Sequence, residues 1–309
     1  MGWVGQSAMK CLNNRNMRIV TTLVLSWTAA SVYAEGAALR FAYIPVSASH
    51  GAQEAMVVKS GSWLRQRNLS HGAILIEHPQ GTLLYDTGLG REVDQQYEEN
   101  SAWAKALFGY TQVTPVADQF EAQGFDYRQL KAIIPSHLHW DHASGLVDFP
   151  GVPVWTQPEE LEAAKKGRPP AYLRSQIDDP RINWVKLTLD LKPFLGFSRS
   201  KDIFGDGRVV LVDLAGHTRG QTGLYLSLSS GQNYLFIGDA TWTQKGVEDN
   251  MPRPGFVQWL VGVDADPEGA LNQVAALHKL QQQYPRLTIV PAHDEFTAAR
   301  LPHYPEFAE

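Results

Sequence analysis

Ser136-His137-Leu138-His139-Trp140-Asp141-His142 is the stretch on which the reading of this chain turns. It sets His137, His139, Asp141 and His142, four potential metal ligands, within six residues. The apolar run Ala132-Ile133-Ile134 just before it reads as a buried strand, and a helix is expected to begin after it. Imidazole and carboxylate together suit Zn, Fe or Mn, and a loop at a strand end can bring several such groups to one point. A lone histidine is more often a packed or surface side chain. Four ligand types in His-x-His-x-Asp-His have no comparable explanation in packing.

Three further candidates share that setting. His217 lies in Ala215-Gly216-His217-Thr218, past a strand ending at Leu214. Asp239 lies in Ile237-Gly238-Asp239-Ala240, and His293 in Pro291-Ala292-His293-Asp294, each again just beyond an apolar strand. Each is the first polar ligand type after its strand. Five of the ten histidines fall in this set. His50, His71, His78, His278 and His303 have no such context and read as ordinary surface or core residues.

The remaining pattern fits an α/β chain. Arg40 to Val46 reads as a strand. Gly72 to Glu77 and Thr82 to Tyr85 read as a hairpin around Pro79-Gln80-Gly81. Val113 to Gly124 reads as a helix. Pro158 to Lys166 does too, with Glu159, Glu160 and Glu162 early and Lys165-Lys166 late, as the helix dipole favours. Val209 to Leu214, Leu224 to Leu228 and Tyr234 to Ile237 read as strands. A long helix over Pro267 to Gln283 precedes a last strand, Leu287 to Val290. Hairpins first and alternating strands and helices later predict two sheets with helices outside. No repeat or low-complexity linker interrupts the chain.

Taken together, Leu83-Leu84-Tyr85-Asp86-Thr87-Gly88, the His-x-His-x-Asp-His run, Gly216-His217-Thr218, Gly238-Asp239 and Ala292-His293 resemble the metallo-β-lactamase-fold hydrolase superfamily. The resemblance covers roughly Ala38 to the end. It implies an αββα sandwich with a two-metal site at one edge. Carried over residue by residue, His137, His139 and His217 would hold the first metal. Asp141, His142 and His293 would hold the second, Asp239 would bridge both, and Asp86 would orient a ligand histidine from behind.

The ligand count suits that implication. Two cations about 3.5–4 Å apart need six or seven protein ligands and a bridging water. Five imidazoles and two carboxylates leave surplus positive charge on two divalent ions. That surplus would bring the bridging water toward hydroxide near neutrality and polarise a carbonyl or phosphoryl oxygen. Zinc is the expected ion, with iron and manganese as alternatives. Asp141 is the expected proton carrier to the leaving group, and no serine or cysteine nucleophile is required.

Within the superfamily the chain resembles the lactonase-like branch, including acyl-homoserine-lactone hydrolases. Asp239 argues against β-lactams, because strict β-lactamases lack the bridging aspartate. Only 16 residues follow His293, too few for the helical extension of glyoxalase II enzymes. RNA-processing members insert a whole domain for which there is no room. Two departures stand out. Trp242 occupies the place of a tyrosine, so an indole that donates only through N–H replaces a phenol. The usual Gly-His-Ser/Thr-Pro-Gly-His is here Gly216-His217-Thr218-Arg219-Gly220-Gln221. Trp103, Phe108 and Tyr110, with Trp242, Phe256 and Trp259, are expected to line a pocket for an apolar acyl or aryl group. The expected activity is hydrolysis of an ester or lactone. Phosphodiester or phosphotriester hydrolysis is the alternative, and a metal-binding or ligand-sensing protein is the non-enzymatic one.

Composition agrees with a folded enzyme of this size. The 309 residues are 44% hydrophobic and 19% charged, which excludes global disorder. A formal charge of −5 argues against nucleic acid as a partner. One cysteine, Cys11, excludes a disulfide scaffold or Cys-rich metal site. Lys10, Arg15 and Arg18 precede an uncharged 16-residue run from Ile19 to Ala34 that ends Val32-Tyr33-Ala34. This is the pattern of a secretory signal peptide over residues 1–34, with Met17 as an alternative start and an uncleaved anchor as the alternative reading. Cleavage would leave a single hydrolase domain, 35–309, of formal charge −8 and without cysteine, suited to the periplasm or the exterior. An acidic surface of that kind is not expected to bind anionic membranes.

Overall fold

Period-two alternation sends successive residues of the longer strands to opposite faces of their sheet. The computed structural model describes residues 38–309, so the leader expected at 1–34 and Cys11 lie outside the described residues. The strands are β1 (Arg40–Ala48), β2 (Ala52–Gln53), β3 (Gln66–Arg67), β4 (Ser70–His78), β5 (Gly81–Tyr85), β6 (Leu130–Ile134), β7 (Pro153–Thr156) and β8 (Asn183–Lys186). They continue as β9 (Ser200–Asp202), β10 (Val209–Asp213), β11 (Thr222–Ser227), β12 (Asn233–Phe236) and β13 (Leu287–Val290). One sheet has the order β1-β4-β5-β6-β7-β8, the other β13-β12-β11-β10-β9, and β2 with β3 makes a short ribbon.

On β4, Ile74 and Ile76 enter the layer between the sheets, where Phe41, Leu83, Ile134, Leu211 and Leu224 also lie. Ala73 and Leu75 go to the opposite face, against Phe120, Leu146 and Phe149. The second sheet divides in the same way. Leu235 and Ile289 meet Leu277 and Leu280 of the helix Pro267–Gln283. Helices thus cover both outer faces, and the αββα sandwich expected from the sequence is the architecture observed. Burying each sheet on both faces is what allows runs as apolar as Val-Val-Leu-Val and Ala-Ile-Leu-Ile.

The helix expected over 113–124 is shorter, Val116–Ala122. Pro115 caps it, and Gly124, at φ 69°, turns the chain out of it. The strands β7, β8 and β9 were not evident in the sequence. They are only three or four residues long, and Val185 of β8 is exposed, so each offers too little pattern to read.

The outer edge of β1 is paired by the C-terminal segment. Phe41 and Ala308 exchange backbone hydrogen bonds of 3.1 and 2.9 Å, and Tyr43 N donates to Pro302 O at 2.8 Å. Among the described residues no helix is long and apolar enough to cross a membrane.

Candidate metal centre

Strand direction gathers the ligand-type side chains. β5 and β6 run parallel, as do β12 and β13. The residues just beyond their C-termini, Asp86, His137 to His142, Asp239 and His293, therefore meet at one edge of the sandwich. His217 arrives there from the end of β10.

The side chains form two groups around Asp239. His137, His139 and His217 have ligand atoms within 4.8 Å of one another. His139 Nδ1 is 2.9 Å from His217 Nε2. On the other side, Asp141 Oδ2 lies 3.3 Å from His293 Nε2 and 3.9 Å from His142 Nε2. Asp239 faces both groups. Its Oδ1 is 3.0 Å from His293 Nε2 and 3.3 Å from His142 Nε2, while its Oδ2 is 3.4 Å from His217 Nε2.

The second nitrogen of most of these rings is held from behind, which fixes which nitrogen faces the centre. His142 Nδ1 lies 3.0 Å from Asp86 Oδ2. Asp86 adopts φ 60°, a conformation aspartate tolerates better than most residues, and its other oxygen accepts from Ser136 N at 2.6 Å. His217 Nδ1 lies 3.0 Å from Asp264 Oδ1, His293 Nδ1 donates to Ser70 O at 2.7 Å, and His137 Nδ1 lies 3.0 Å from Ser136 Oγ.

Electrostatics favour a cation here. Burial, reinforced by neighbouring imidazoles, pushes His137 and His139 well below the ordinary histidine value, so both present lone pairs. Burial works against a charged His142 as well, but Asp86, Asp141 and Asp239 outweigh it and hold that ring well above. Burial would raise the Asp239 carboxyl, yet His293 and His142 hold it well below the usual range. His137 Nε2, His142 Nε2 and Asp239 Oδ1 are buried and have no hydrogen-bond partner. Such atoms are costly unless something coordinates them. The donor set therefore fits metal ions, and the groups here can hold them.

An apolar cleft opens over the centre. His139, Asp141, His217, Asp239, Trp242 and His293 form its floor, and Met56, Leu107, Phe108, Phe256, Leu260 and Val261 are among its walls. Trp242 Nε1 donates to Asp239 Oδ2 at 2.8 Å, so the indole is beside the centre with its N–H already engaged. The other expected aromatics divide. Phe108 and Phe256 border the cleft. Trp103 is 50% and Trp259 84% exposed, and neither forms its wall. Tyr110 packs behind it on Tyr97 and Trp140 and donates to Asp94.

Several site residues carry no motif. His71, which reads as ordinary in the sequence, lies at the start of β4 with Nε2 3.7 Å from Asp141 Oδ2. β4 runs antiparallel to β5, so its first residues reach the edge where β5 ends. Attention to strand beginnings as well as ends would have found it. Glu160, an early residue of the helix Pro158–Lys166, is buried and accepts from Leu138 N at 2.8 Å and Gly220 N at 2.9 Å. It ties the His137 loop to the His217 loop. Gln221, where the family motif has histidine, donates weakly to Leu214 O and Ile237 O and accepts from Asp239 N, joining two ligand loops. Arg253 donates to Asp239 O at 2.8 Å and pairs with Asp264. Arg253 and His217 hold the Asp264 carboxyl far below its ordinary value, against the effect of burial.

Residues 68–293 match the family model described as the metallo-beta-lactamase superfamily. The chain belongs to this superfamily. An N-acyl homoserine lactonase, AttM, of Rhizobium radiobacter is 27% identical over 240 residues, 75% of this chain and 85% of that protein. N-acyl homoserine lactonase AiiA of Bacillus thuringiensis subsp. kurstaki is 28% identical over 224 residues, 69% of this chain and 77% of that protein. A solved N-acyl homoserine lactone hydrolase, with N-hexanoyl-L-homoserine at its catalytic metal center, superposes with TM-score 0.67 at 23% identity. It covers 87% of this chain and 98% of its own. The superfamily fold and the sandwich thus coincide over nearly all described residues.

Proposed function

We propose that this protein is a dinuclear metal-dependent lactone hydrolase whose substrates carry an apolar acyl or aryl group. The observation that carries the reading is Asp239. Its two carboxylate oxygens face two separate imidazole groups, as a bridge between two cations requires. His137, His139 and His217 would hold one ion, and Asp141, His142 and His293 the other. When bound, two divalent cations, zinc as the expected pair, would acidify a water between them and polarise the scissile carbonyl. The chain supplies the rest. Asp86, Asp264 and the Ser70 carbonyl orient the imidazoles, and the cleft walls receive the apolar group and exclude water. Asp141, at the cleft floor beside His293, is placed to pass a proton to the departing oxygen. Lactonase relatives of comparable length support the substrate class.

The reading is tested with metal-loaded protein on three panels: acyl-homoserine lactones, aryl esters and bis(aryl) phosphates. Lactone turnover well above the other two is expected. Preference for the phosphates would overturn it. We also infer export from the N-terminal leader, which supports a periplasmic or secreted enzyme. Fractionation followed by N-terminal sequencing should find mature protein starting at Glu35, and protein retained in the cytoplasm with its leader intact would refute export.

A further inference from the structure

His71 sits at the floor of the cleft and is 6% exposed, although no motif marks it. Its Nε2 lies 3.7 Å from Asp141 Oδ2, and its ring meets that of His293 edge to face, with centroids 5.3 Å apart. Two functions are open to an imidazole so placed: a further metal ligand, or a hydrogen-bond donor to what binds beside the metals. The rear of the ring separates them. His142, His217, His293 and His137 each have Nδ1 engaged by a carboxylate, carbonyl or hydroxyl oxygen. His71 Nδ1 is buried with no partner. A ligand histidine would need its proton on that partnerless nitrogen, and buried N–H groups without acceptors are the rarer and costlier orphan. The alternative tautomer leaves only a lone pair there and puts the N–H on Nε2, toward Asp141 and the cleft.

Resting on the lactonase reading above, we propose that His71 donates its Nε2–H to the ring oxygen that leaves when the lactone opens on the Asp141 side. Trp242 does not serve this purpose, because its N–H is given to Asp239 Oδ2 at 2.8 Å. Hydrolysis breaks the acyl C–O bond with its electron pair left on the ring oxygen, and a proton from the attacking water ends on that oxygen. His71 contributes a hydrogen bond that strengthens as charge develops there, and it keeps its own proton.

The test compares His71→Phe, which keeps a flat ring without a donor, and His71→Gln, whose side-chain amide carries a donor near the Nε2 position. Elemental analysis and the cobalt(II)-substituted spectrum report metal binding apart from activity. His71→Phe should keep two ions per chain and an unchanged spectrum. Its kcat on an alkyl lactone should fall on the order of a hundredfold, with KM little altered. On an aryl ester, whose leaving oxygen needs less help, the fall should be below about fivefold. His71→Gln should recover most of the lactone activity. Loss of one ion in either variant would show a metal ligand instead, and equal losses on both substrates would show a packing role. Wild-type protein that turns over no lactone would sink the lactonase reading itself, and this assignment with it.

Discussion

Asp239 shares one negative charge between two imidazole groups, and removing that charge isolates its contribution. Asp239→Asn keeps the shape and, on the dinuclear reading proposed above, should weaken binding of a second ion. Turnover should fall by at least about a hundredfold, ~3 kcal/mol of barrier. Metal titration beside steady-state kinetics checks both, and unchanged activity in metal-replete buffer would make Asp239 a turn residue only. Asp148 affords a test of stability rather than catalysis. Burial raises its carboxyl from 3.8 to about 6, despite the hydrogen bond it accepts from Arg91 N. The folded protein therefore holds a proton that the unfolded chain releases across that window. Stability falls as pH rises from about 4 to about 6, and the penalty stands in full at neutral pH. Asp148→Asn should stabilise the protein by about 1–2 kcal/mol near neutrality, after screening is allowed for, and by little near pH 4. Denaturant titrations at the two pH values decide this.

At the scale of elements, the ligand loops hold their geometry through contacts between them. Glu160 accepts from one N–H of each of two such loops. In Glu160→Gln one of those amides faces an NH2 group instead of an oxygen. A loss of about 1–3 kcal/mol is expected, with weaker metal retention against a chelator. The short helix Gly255–Val261 contributes Phe256 to the cleft wall. Phe256→Ser should raise KM for a long-chain acyl lactone about tenfold and leave a short-chain one nearly unchanged, the outcome expected of a wall residue met by the far end of the chain. Legibility in the sequence follows the same division. His137, His139, Asp141, His142, His217, Asp239 and His293 were readable because each follows closely on an apolar strand, and the sandwich because hairpins come first and strands then interleave with helices. Glu160, Asp264 and Arg253 were not. A buried charge that pairs across sequence-distant loops has no local pattern, and Glu160 in the first turn of a helix looks like an ordinary dipole partner. Trp103 and Trp259 show the converse, since aromatic content alone does not say which face of a short helix meets solvent.

For the whole molecule, the centre is both site and staple. Loops from five strands end there, and their buried carboxylates and imidazoles repel or go unpartnered without a cation. Chelation should therefore lower the unfolding midpoint as well as abolish turnover. At a hundredfold excess of free ion over Kd, binding contributes about 2.7 kcal/mol, or roughly 4–5 °C for a chain of this size. Calorimetry with and without chelator measures it, and an unchanged midpoint would mean that the fold closes around the site unaided.

The pairing of Phe41 with Ala308 has a further consequence. A sheet edge with free N–H and C=O groups is a template for the next molecule's strand, and β1 is long, apolar and terminal in its sheet. The segment from Pro302 to Ala308 occupies that template. It lies beyond His293, the last of the clustered side chains, so clipping it would leave that cluster in place while uncovering an adhesive border. Damage at this end would then register as self-association and loss of soluble protein, well before any loss of specific activity.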